Sequence, residues 1–222
     1  MSIHSARLTR RSWLGLALGT AVPSAAHAAV RRIDFGTMPP NQAPIGFSVA
    51  LTGRGPPAAW RVTSDPTARP GPTILTETTR DPTDERYPLA MLDDVRLRDG
   101  TISTRFRAIA GKVDRAAGLV MRYRDAQTYY VVRANALEDN VRLYRVIQGR
   151  REQFAGADIR VPSGQWQILA VRFAGEKFVV SLDGREVFTA QDRWFSGPGK
   201  VGLWTKADST THFGWLEVEG VP

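Results

Sequence analysis

The chain has 222 residues, 30 Lys and Arg against 22 Asp and Glu, and no cysteine. The lack of thiols excludes disulfides, thiolate metal sites, a cysteine nucleophile and a lipid anchor on cysteine. Of the basic residues, 26 are arginines, and they are scattered, which argues against a nucleic-acid-binding stripe. Two explanations of this excess stay open, a base-composition bias of the genome and recognition of carboxylate or phosphate groups.

Residues 1–28 are predicted to be a cleavable export signal. A basic start is followed by the short apolar run 12–19, and Ala26-His27-Ala28 supplies the small residues that a signal peptidase requires. The run is too short to span a bilayer. The segment from Thr9 to Leu14, which contains Arg10 and Arg11, resembles the twin-arginine export motif, and an ordinary secretory signal is the alternative. Both predict a periplasmic or secreted protein with no membrane segment after cleavage.

The first half of the mature chain is predicted to form short strands separated by Pro/Gly-rich loops. Residues 79–88 are polar and contain two prolines, which predicts a surface excursion. Turns are expected at 53–57 and at Arg98-Asp99-Gly100. The predicted strands are Arg31–Phe35, Phe47–Leu51, Ala59–Val62, Thr73–Thr78, Val95–Leu97 and Ile102–Ala108.

The second half continues the same pattern. Residues 117–149 are predicted to form three consecutive antiparallel strands, because apolar and polar residues alternate along them. Asp183-Gly184 between two alternating runs is a strong hairpin signal. The remaining predicted strands are Trp166–Phe173, Phe178–Leu182, Arg185–Thr189, Gly199–Asp208 and His212–Glu219.

About a dozen short strands at a spacing of roughly 8–12 residues, with no helical period, predict an all-β fold. The expected architecture is a two-sheet antiparallel jelly-roll sandwich of the concanavalin A-like type, forming one domain over residues 29–222. The strands at the two ends of this domain are expected to pair, because no other partners remain for them.

One sheet face is predicted to carry the polar members of the strands in 117–149. Sugars are bound by aromatic faces together with amide, carboxylate and guanidinium hydrogen bonds, so these residue types suit a carbohydrate. An ordinary solvated face with a partly buried tryptophan is the alternative. The candidate ligand-binding residues are Arg122, Arg133, Asn135, Arg142 and Tyr144, joined by Trp204, Lys206 and Asp208 from a later strand.

Three segments, 116–144, 161–188 and 199–220, resemble the laminin-G-like and concanavalin A-like jelly rolls of bacterial secreted proteins. The most similar family is the three-keto-disaccharide hydrolase domain family. This resemblance implies a sandwich with a concave face and a role with carbohydrates, since several members cleave or bind glycosides. In the enzymes the strand corresponding to 129–135 usually carries a glutamate and a glutamine, whereas here it contains no acid.

Other signs of catalysis or metal binding are weak in the sequence. A glycosidase needs two carboxyl groups facing one sugar, and the spacing Glu-x-Asp-x-x-Glu of jelly-roll glucanases is absent. Glu217 and Glu219 alternate with apolar residues, as on the wet side of a strand. The adjacent acids Asp93-Asp94 and Glu138-Asp139 would diverge on strands but could bind calcium in turns. The mature chain has one histidine, His212, which excludes a histidine metal cluster and is expected to be structural.

Together these features favour an exported, carbohydrate-associated jelly roll that acts as a glycan-binding or structural module. The family resemblance instead favours a hydrolase or lyase acting on keto-glycosides or disaccharides. A protein-interaction module that uses an exposed sheet edge is a third alternative.

Overall fold

The computed structural model describes residues 30–221 and Met1, so the expected export signal lies outside the described residues apart from Met1. Within residues 30–221 no helix is long and apolar enough to cross a membrane. The strands of this range are β1 Arg31–Asp34, β2 Phe47–Gly53, β3 Trp60–Ser64, β4 Thr73–Glu77, β5 Arg86–Leu97, β6 Asp99–Ala110, β7 Ala116–Asp125, β8 Thr128–Asn135, β9 Asn140–Ile147, β10 Arg150–Asp158, β11 Trp166–Ala174, β12 Lys177–Leu182, β13 Arg185–Gln191, β14 Gly199–Trp204 and β15 Thr210–Val221.

The strands form two antiparallel sheets that pack face to face. The eight-stranded sheet has the order β13-β12-β11-β6-β15-β4-β3, and β1 pairs with β15 beside this path. The seven-stranded sheet has the order β10-β9-β8-β7-β14-β5-β2. The predicted all-β, two-sheet antiparallel sandwich is therefore confirmed, as is the pairing of the two terminal strands.

The main core lies between the two sheets and follows the alternation in the sequence. On β11 and β12, every second residue is buried, as expected for strands with one face on a core. The opposing layer comes from the inward rows of β7, β8, β9 and β14. Representative core residues are Leu169, Val171, Phe173, Phe178 and Val180 from one sheet and Leu119, Met121, Tyr130, Val132 and Leu203 from the other.

Several strands differ from the sequence prediction; β14, for example, ends at Trp204, so Lys206 and Asp208 follow the strand instead of lying on it as expected. Strand β5 begins at Arg86, nine residues before the predicted start, so the surface excursion ends earlier than expected. Pro88 has no backbone N–H to donate, but it does not end the strand. Its carbonyl still accepts a hydrogen bond from the Thr205 amide at 3.1 Å. Strand β10 was not predicted, although Gln148 and Gly149 both have positive φ (50° and 75°), as in a two-residue hairpin turn from β9.

Two of the predicted turns carry the chain from one sheet to the other. Residues 54–59 connect β2 of the seven-stranded sheet to β3 of the eight-stranded sheet, and Arg98 connects β5 to β6 in the same way. The Asp183-Gly184 hairpin is confirmed, with φ of 50° and 76°. Local turn signals therefore located the reversals but not the partner strands.

The seven-stranded sheet is strongly curled. The Thr52 hydroxyl on edge strand β2 lies 2.8 Å from the Tyr129 hydroxyl on β8, although β5, β14 and β7 lie between them in the sheet. In a flat sheet, four strand spacings would separate these two strands by about 19 Å. The face that carries Tyr129 is therefore concave, and a second apolar cluster, which includes Leu89, Val131 and Trp204, fills it.

A buried ion pair joins the two sheets at one end of the sandwich. Arg86 at the start of β5 donates to Glu77 at the end of β4 at 3.0 Å, and both side chains are almost fully buried (0% and 1% exposed). Arg86 also donates to the carbonyls of Pro56 and Pro57, while Glu77 accepts from the Ala59 amide. Burial alone would raise the pKa of Glu77, but these hydrogen bonds outweigh it and hold the pKa below its ordinary value.

We expect Arg86→Met to lower the free energy of unfolding by about 3–5 kcal/mol, because it leaves the Glu77 carboxylate buried without its counter-charge. Urea unfolding followed by circular dichroism measures the loss. Arg54→Met is the matched control, since the Arg54–Glu85 pair is exposed and such pairs contribute less than about 1 kcal/mol. Equal losses in the two variants would show that the buried pair is not a special constraint.

Candidate functional site

The concave face is organised by strand register. Trp204 on β14 is level with Gly118 on β7, which is level with Arg133 on β8 and Arg142 on β9. Residues that are level on adjacent strands lie about 4.5–5.5 Å apart and project from the same face. These four positions therefore form one row across the concave face. Tyr144 lies two residues farther along β9.

Arg151 covers the centre of this face. Its guanidinium carbon lies 4.4 Å from the ring centre of Tyr144, 4.8 Å from that of Tyr87 and 5.7 Å from that of Trp204. The Tyr87 and Trp204 rings are stacked on each other, with centroids 5.7 Å apart and an interplanar angle of 15°. One cation thus lies over an aromatic floor built from three strands, an arrangement in which cation–π attraction is substantial.

Gly118 makes room for the indole in this floor. A Cβ at Gly118 would lie 2.9 Å from Cε3 of Trp204, closer than real Cβ atoms come to other atoms, and a tight 3.2 Å from Cβ of the same residue. The indole packs across the β7 backbone because this position has no side chain. The glycine is therefore required here for close packing and not for a positive φ.

Arg133 occupies the middle of the face beside Tyr144. It donates to the Tyr144 hydroxyl at 3.2 Å and to Glu138 at 2.8 Å, and Asn140 donates to the same Glu138 oxygen at 3.1 Å. Burial alone would raise the pKa of Glu138, but the hydrogen bonds from Arg133 and Asn140 hold it below its ordinary value. Glu138 is therefore an ionised, partly exposed carboxylate at the rim of the face.

Lys206 and Asp114 form a second charged group beside Arg133. Lys206 Nζ lies 3.0 Å from Asp114 Oδ2 and also pairs with Asp84, while Asn135 donates to Asp114 at 3.0 Å. Asp114 is completely buried, and this burial raises the pKa of its carboxyl despite the neighbouring cations. The polar end of the concave face therefore carries two acids whose pKa values are shifted in opposite directions.

Some buried polar atoms on this face have no protein partner. Among residues 30–221, no hydrogen-bond partner is found for Nη1 of Arg133, Nη1 of Arg151 or Oδ1 of Asn140. A buried polar group without a partner costs about 1–3 kcal/mol, so such atoms indicate a place for water or a ligand. A cavity of about 310 Å³ adjoins Arg151, and it is lined by Gly53, Glu85, Tyr87, Gly149, Arg150 and Arg151.

Most of the residues predicted as ligand-binding do lie together. Arg133, Asn135, Tyr144, Trp204 and Lys206 are all on the concave face or at its polar end, as described above. Arg142 is in the same row but nearer the sheet edge, where it pairs with the exposed Asp158. Six of the eight predicted positions therefore lie close together, and their role in binding stays a prediction.

Arg122 and Asp208 do not join the group. The expectation that Arg122 shares the face of Arg133 is wrong, because an irregularity follows Met121 and Arg122 itself has a φ of 48°. Its guanidinium donates to the carbonyls of Arg98, Phe195 and Gly175. The Asp208 carboxylate accepts hydrogen bonds from three successive amides, those of Lys112, Val113 and Asp114, and so closes a loop instead of facing a ligand.

The concave face is also less exposed than the alternation predicted. Trp204 is fully buried, and so are Tyr129 and Val131 on the row expected to be wet. The reason is the curl of the sheet, which brings β2, β5 and β10 over the strands between them. Tyr87 and Arg151, which lie over the rings of this face, are on strand segments that the sequence pattern did not predict. The Gln148-Gly149 turn signal is what could have revealed Arg151.

The acids considered for calcium are engaged elsewhere. Asp93 pairs with Lys200 and Asp94 with Arg31, while the Asp139 carboxylate accepts from the Val161 amide. In the described part of the chain, no three His, Cys, Asp or Glu side chains are grouped as a metal site would require. His212 Nδ1 lies 2.8 Å from Asp65, which also binds Arg107 and Thr67.

Comparison with known proteins supports the fold. No protein-family model and no curated protein sequence matches the chain. The structure is similar to the carbohydrate-binding module CBM66 from Bacillus subtilis, with a TM-score of 0.60, 22% identity, and coverage of 76% of this chain and 91% of that one.

Two further solved structures show the same likeness. A GH16 protein of the Bacteroides ovatus mixed-linkage glucan locus has a TM-score of 0.60 and 9% identity, with 85% and 99% of the two chains covered. A Bacillus subtilis protein of unknown function with a galectin-like fold has a TM-score of 0.54 and 10% identity, with 78% and 88% covered. At these identities the comparisons establish the jelly-roll sandwich and not the activity.

We predict opposite pH dependences for two buried acids. The Glu77 carboxylate, with its pKa below the ordinary 4.5, stabilises the fold above that pH, and this contribution is lost as the pH falls. Asp114, with its pKa above the ordinary 3.8, costs stability as the pH rises through that range. Urea unfolding from pH 3 to 8 should show the wild-type advantage over Glu77→Gln growing with pH. The free energy of unfolding of the wild type relative to Asp114→Asn should instead decrease as the pH rises. Parallel pH profiles for the wild type and the two variants would contradict both assignments.

Proposed function

We propose that this protein is a non-catalytic carbohydrate-binding module that uses the concave face of its seven-stranded sheet. The ligand would enter at the cavity beside Arg151 and Tyr87 and extend toward Arg133 and Glu138. Within this proposal Arg151 and Arg133 act as hydrogen-bond donors and Glu138 as an acceptor, while Tyr144 contacts both guanidinium groups and positions them.

The observation that carries this proposal is the pair of buried guanidinium nitrogens without partners, those of Arg133 and Arg151, both of whose guanidinium groups contact Tyr144. Guanidinium groups hold all their protons at neutral pH, so both atoms are obligatory donors. The hydroxyl oxygens of a carbohydrate could accept hydrogen bonds from both atoms. The adjoining cavity of about 310 Å³ is at the lower end of the range for small-molecule sites.

The solved structures with the same fold are consistent with this proposal. Their descriptions include a carbohydrate-binding module and a GH16 protein in complex with a glucan product. Export to the periplasm or beyond, by the twin-arginine or the ordinary secretory route, is part of the proposal and would bring the protein to extracellular or cell-wall glycans.

The sequence alternative, a hydrolase or lyase acting on keto-glycosides, has one observation in its favour. Asp114 and Glu138 have pKa values shifted in opposite directions, as the acid and base of a glycosidase do. However, Asp114 is fully buried beneath Lys206 and Asn135, where it cannot reach a substrate oxygen, and Glu138 is held by Arg133. The resemblance to the three-keto-disaccharide hydrolase domain family therefore supports binding of related sugars better than their cleavage.

We expect Arg151→Ala to weaken carbohydrate binding at least about tenfold, because it removes a donor to the ligand and the cation over the aromatic floor. Isothermal titration calorimetry with mixed-linkage gluco-oligosaccharides, keto-disaccharides and their unoxidised parents measures the affinity. Arg172→Ala is the matched control, since Arg172 is an exposed arginine on the eight-stranded sheet. Equal affinity in the wild type and Arg151→Ala would place binding elsewhere.

Turnover of the same panel separates binding from catalysis. With wild-type protein we expect saturable binding and no release of monosaccharide from any keto-disaccharide or parent sugar, measured by chromatography over hours. Sugar release that disappears in Glu138→Gln but persists in Arg172→Ala would instead establish the hydrolase alternative and overturn the non-catalytic assignment.

A further inference from the structure

Trp194 is an exposed aromatic residue outside the concave face. It lies in the segment between β13 and β14 and is 57% exposed, whereas Trp60 and Trp204 are fully buried and Trp215 nearly so. A single exposed aromatic residue is common on protein surfaces, so what distinguishes Trp194 is how its segment is held and which groups surround it. Neither the strand pattern nor the predicted ligand face included this residue.

The segment that presents Trp194 is firmly anchored. The nearly buried Asp192 carboxylate accepts hydrogen bonds from the Tyr130 hydroxyl, the Trp194 amide and Arg145. On the other side of Trp194, the buried Phe195 donates its amide to the Tyr130 hydroxyl at 3.0 Å. These bonds fix the backbone on both sides of the exposed ring, so the ring is held outward by structure and is not simply a loose loop residue.

Arg122 adds a third anchor to the same segment. Its guanidinium donates to the Phe195 carbonyl at 2.7 Å and to the Gly175 carbonyl at 2.7 Å, joining the Trp194 segment to the turn between β11 and β12. That turn carries Glu176, whose carbonyl accepts from the Asp192 amide. Arg122 is thus a positioning residue that connects two sides of one surface cavity.

The cavity beside Trp194 has a volume of about 370 Å³ and is lined by Arg145, Glu176, Gln191, Asp192, Arg193 and Trp194. Arg145 lies against the indole, with its guanidinium carbon 5.3 Å from the ring centre. Within residues 30–221, no side-chain hydrogen bond or ion pair engages Glu176, Gln191 or Arg193. A carboxylate, an amide and a guanidinium thus border the aromatic ring with their hydrogen-bonding capacity free.

We propose that this cavity is a second saccharide-binding subsite, in which one sugar ring stacks on Trp194 and its hydroxyls bond to Glu176, Gln191 and Arg193. The chemistry fits a polyol, because one flat apolar surface is surrounded by both donors and acceptors. A protein interface would need a larger apolar centre, and no other exposed large hydrophobic residue of the described chain lines this cavity. The inference is independent of the concave-face site.

The test follows the indole N–H signal of Trp194 by two-dimensional NMR of the full chain, with the signal assigned by its loss in Trp194→Phe. The probes are cellotetraose, laminaritetraose, chitotetraose and a mixed-linkage glucan tetrasaccharide. We expect a saturable shift of this signal with at least one probe, and the same shift in Arg151→Ala. That second result separates this subsite from the concave face.

Two variants and one control complete the experiment. Trp194→Ala should abolish the second binding event at an unchanged melting temperature, since the ring is mostly exposed. Arg145→Met should weaken it at least roughly 2- to 5-fold, because it removes the cation–π contact and also the ion pair that holds Asp192. Trp166→Phe should leave it unchanged, because the Trp166 indole is tied to Thr67.

No saturable shift with any of the four probes would overturn the proposal. Concentration-dependent broadening of the Trp194 signal without sugar would also overturn it, because it would identify the ring as a self-association contact.

Discussion

The curl of the seven-stranded sheet is the constraint on which the rest of the structure depends. Because Thr52 on β2 meets Tyr129 on β8, the concave face closes over its own side chains and becomes a second interior. Burying an aromatic or large aliphatic side chain contributes about 1.5–3 kcal/mol, so the cluster around Trp204 supports the curvature that encloses it. The same closure leaves the cavity beside Arg151 as the entrance used in the proposed carbohydrate site.

Arginine side chains connect distant parts of this fold. Arg86 joins the two sheets, Arg122 joins three backbone segments, and Arg151 crosses the concave face. A guanidinium group offers five donors in a plane, so it can bond to several carbonyl or carboxylate oxygens at once. The scattered arginines of the sequence are therefore partly structural, whatever bias of base composition also contributes to their number.

The two proposed saccharide surfaces differ in how they are built. On the concave face the aromatic rings are covered, and the unpaired hydrogen-bond donors belong to buried arginines. At the edge of the sandwich the Trp194 ring is exposed, and the hydrogen-bonding groups around it belong to exposed side chains. Hydrogen bonds of Asp192 and Arg122 to the backbone of Trp194 and Phe195 hold the segment that carries this exposed ring.

The sequence by itself determined the fold class and most of the strands. Alternation and turn residues are local properties, so β11 to β13, the Asp183-Gly184 hairpin and the three strands from Ala116 to Ile147 could be predicted from them. It also placed Arg133 and Tyr144 on one face, because side-chain direction follows strand period. Only the tertiary structure decided which sheet each strand entered, that the predicted wet face is buried, and that Arg122 turns away. These outcomes depend on the curl of the sheet and on an irregularity after Met121, which arise from contacts between residues far apart in the chain.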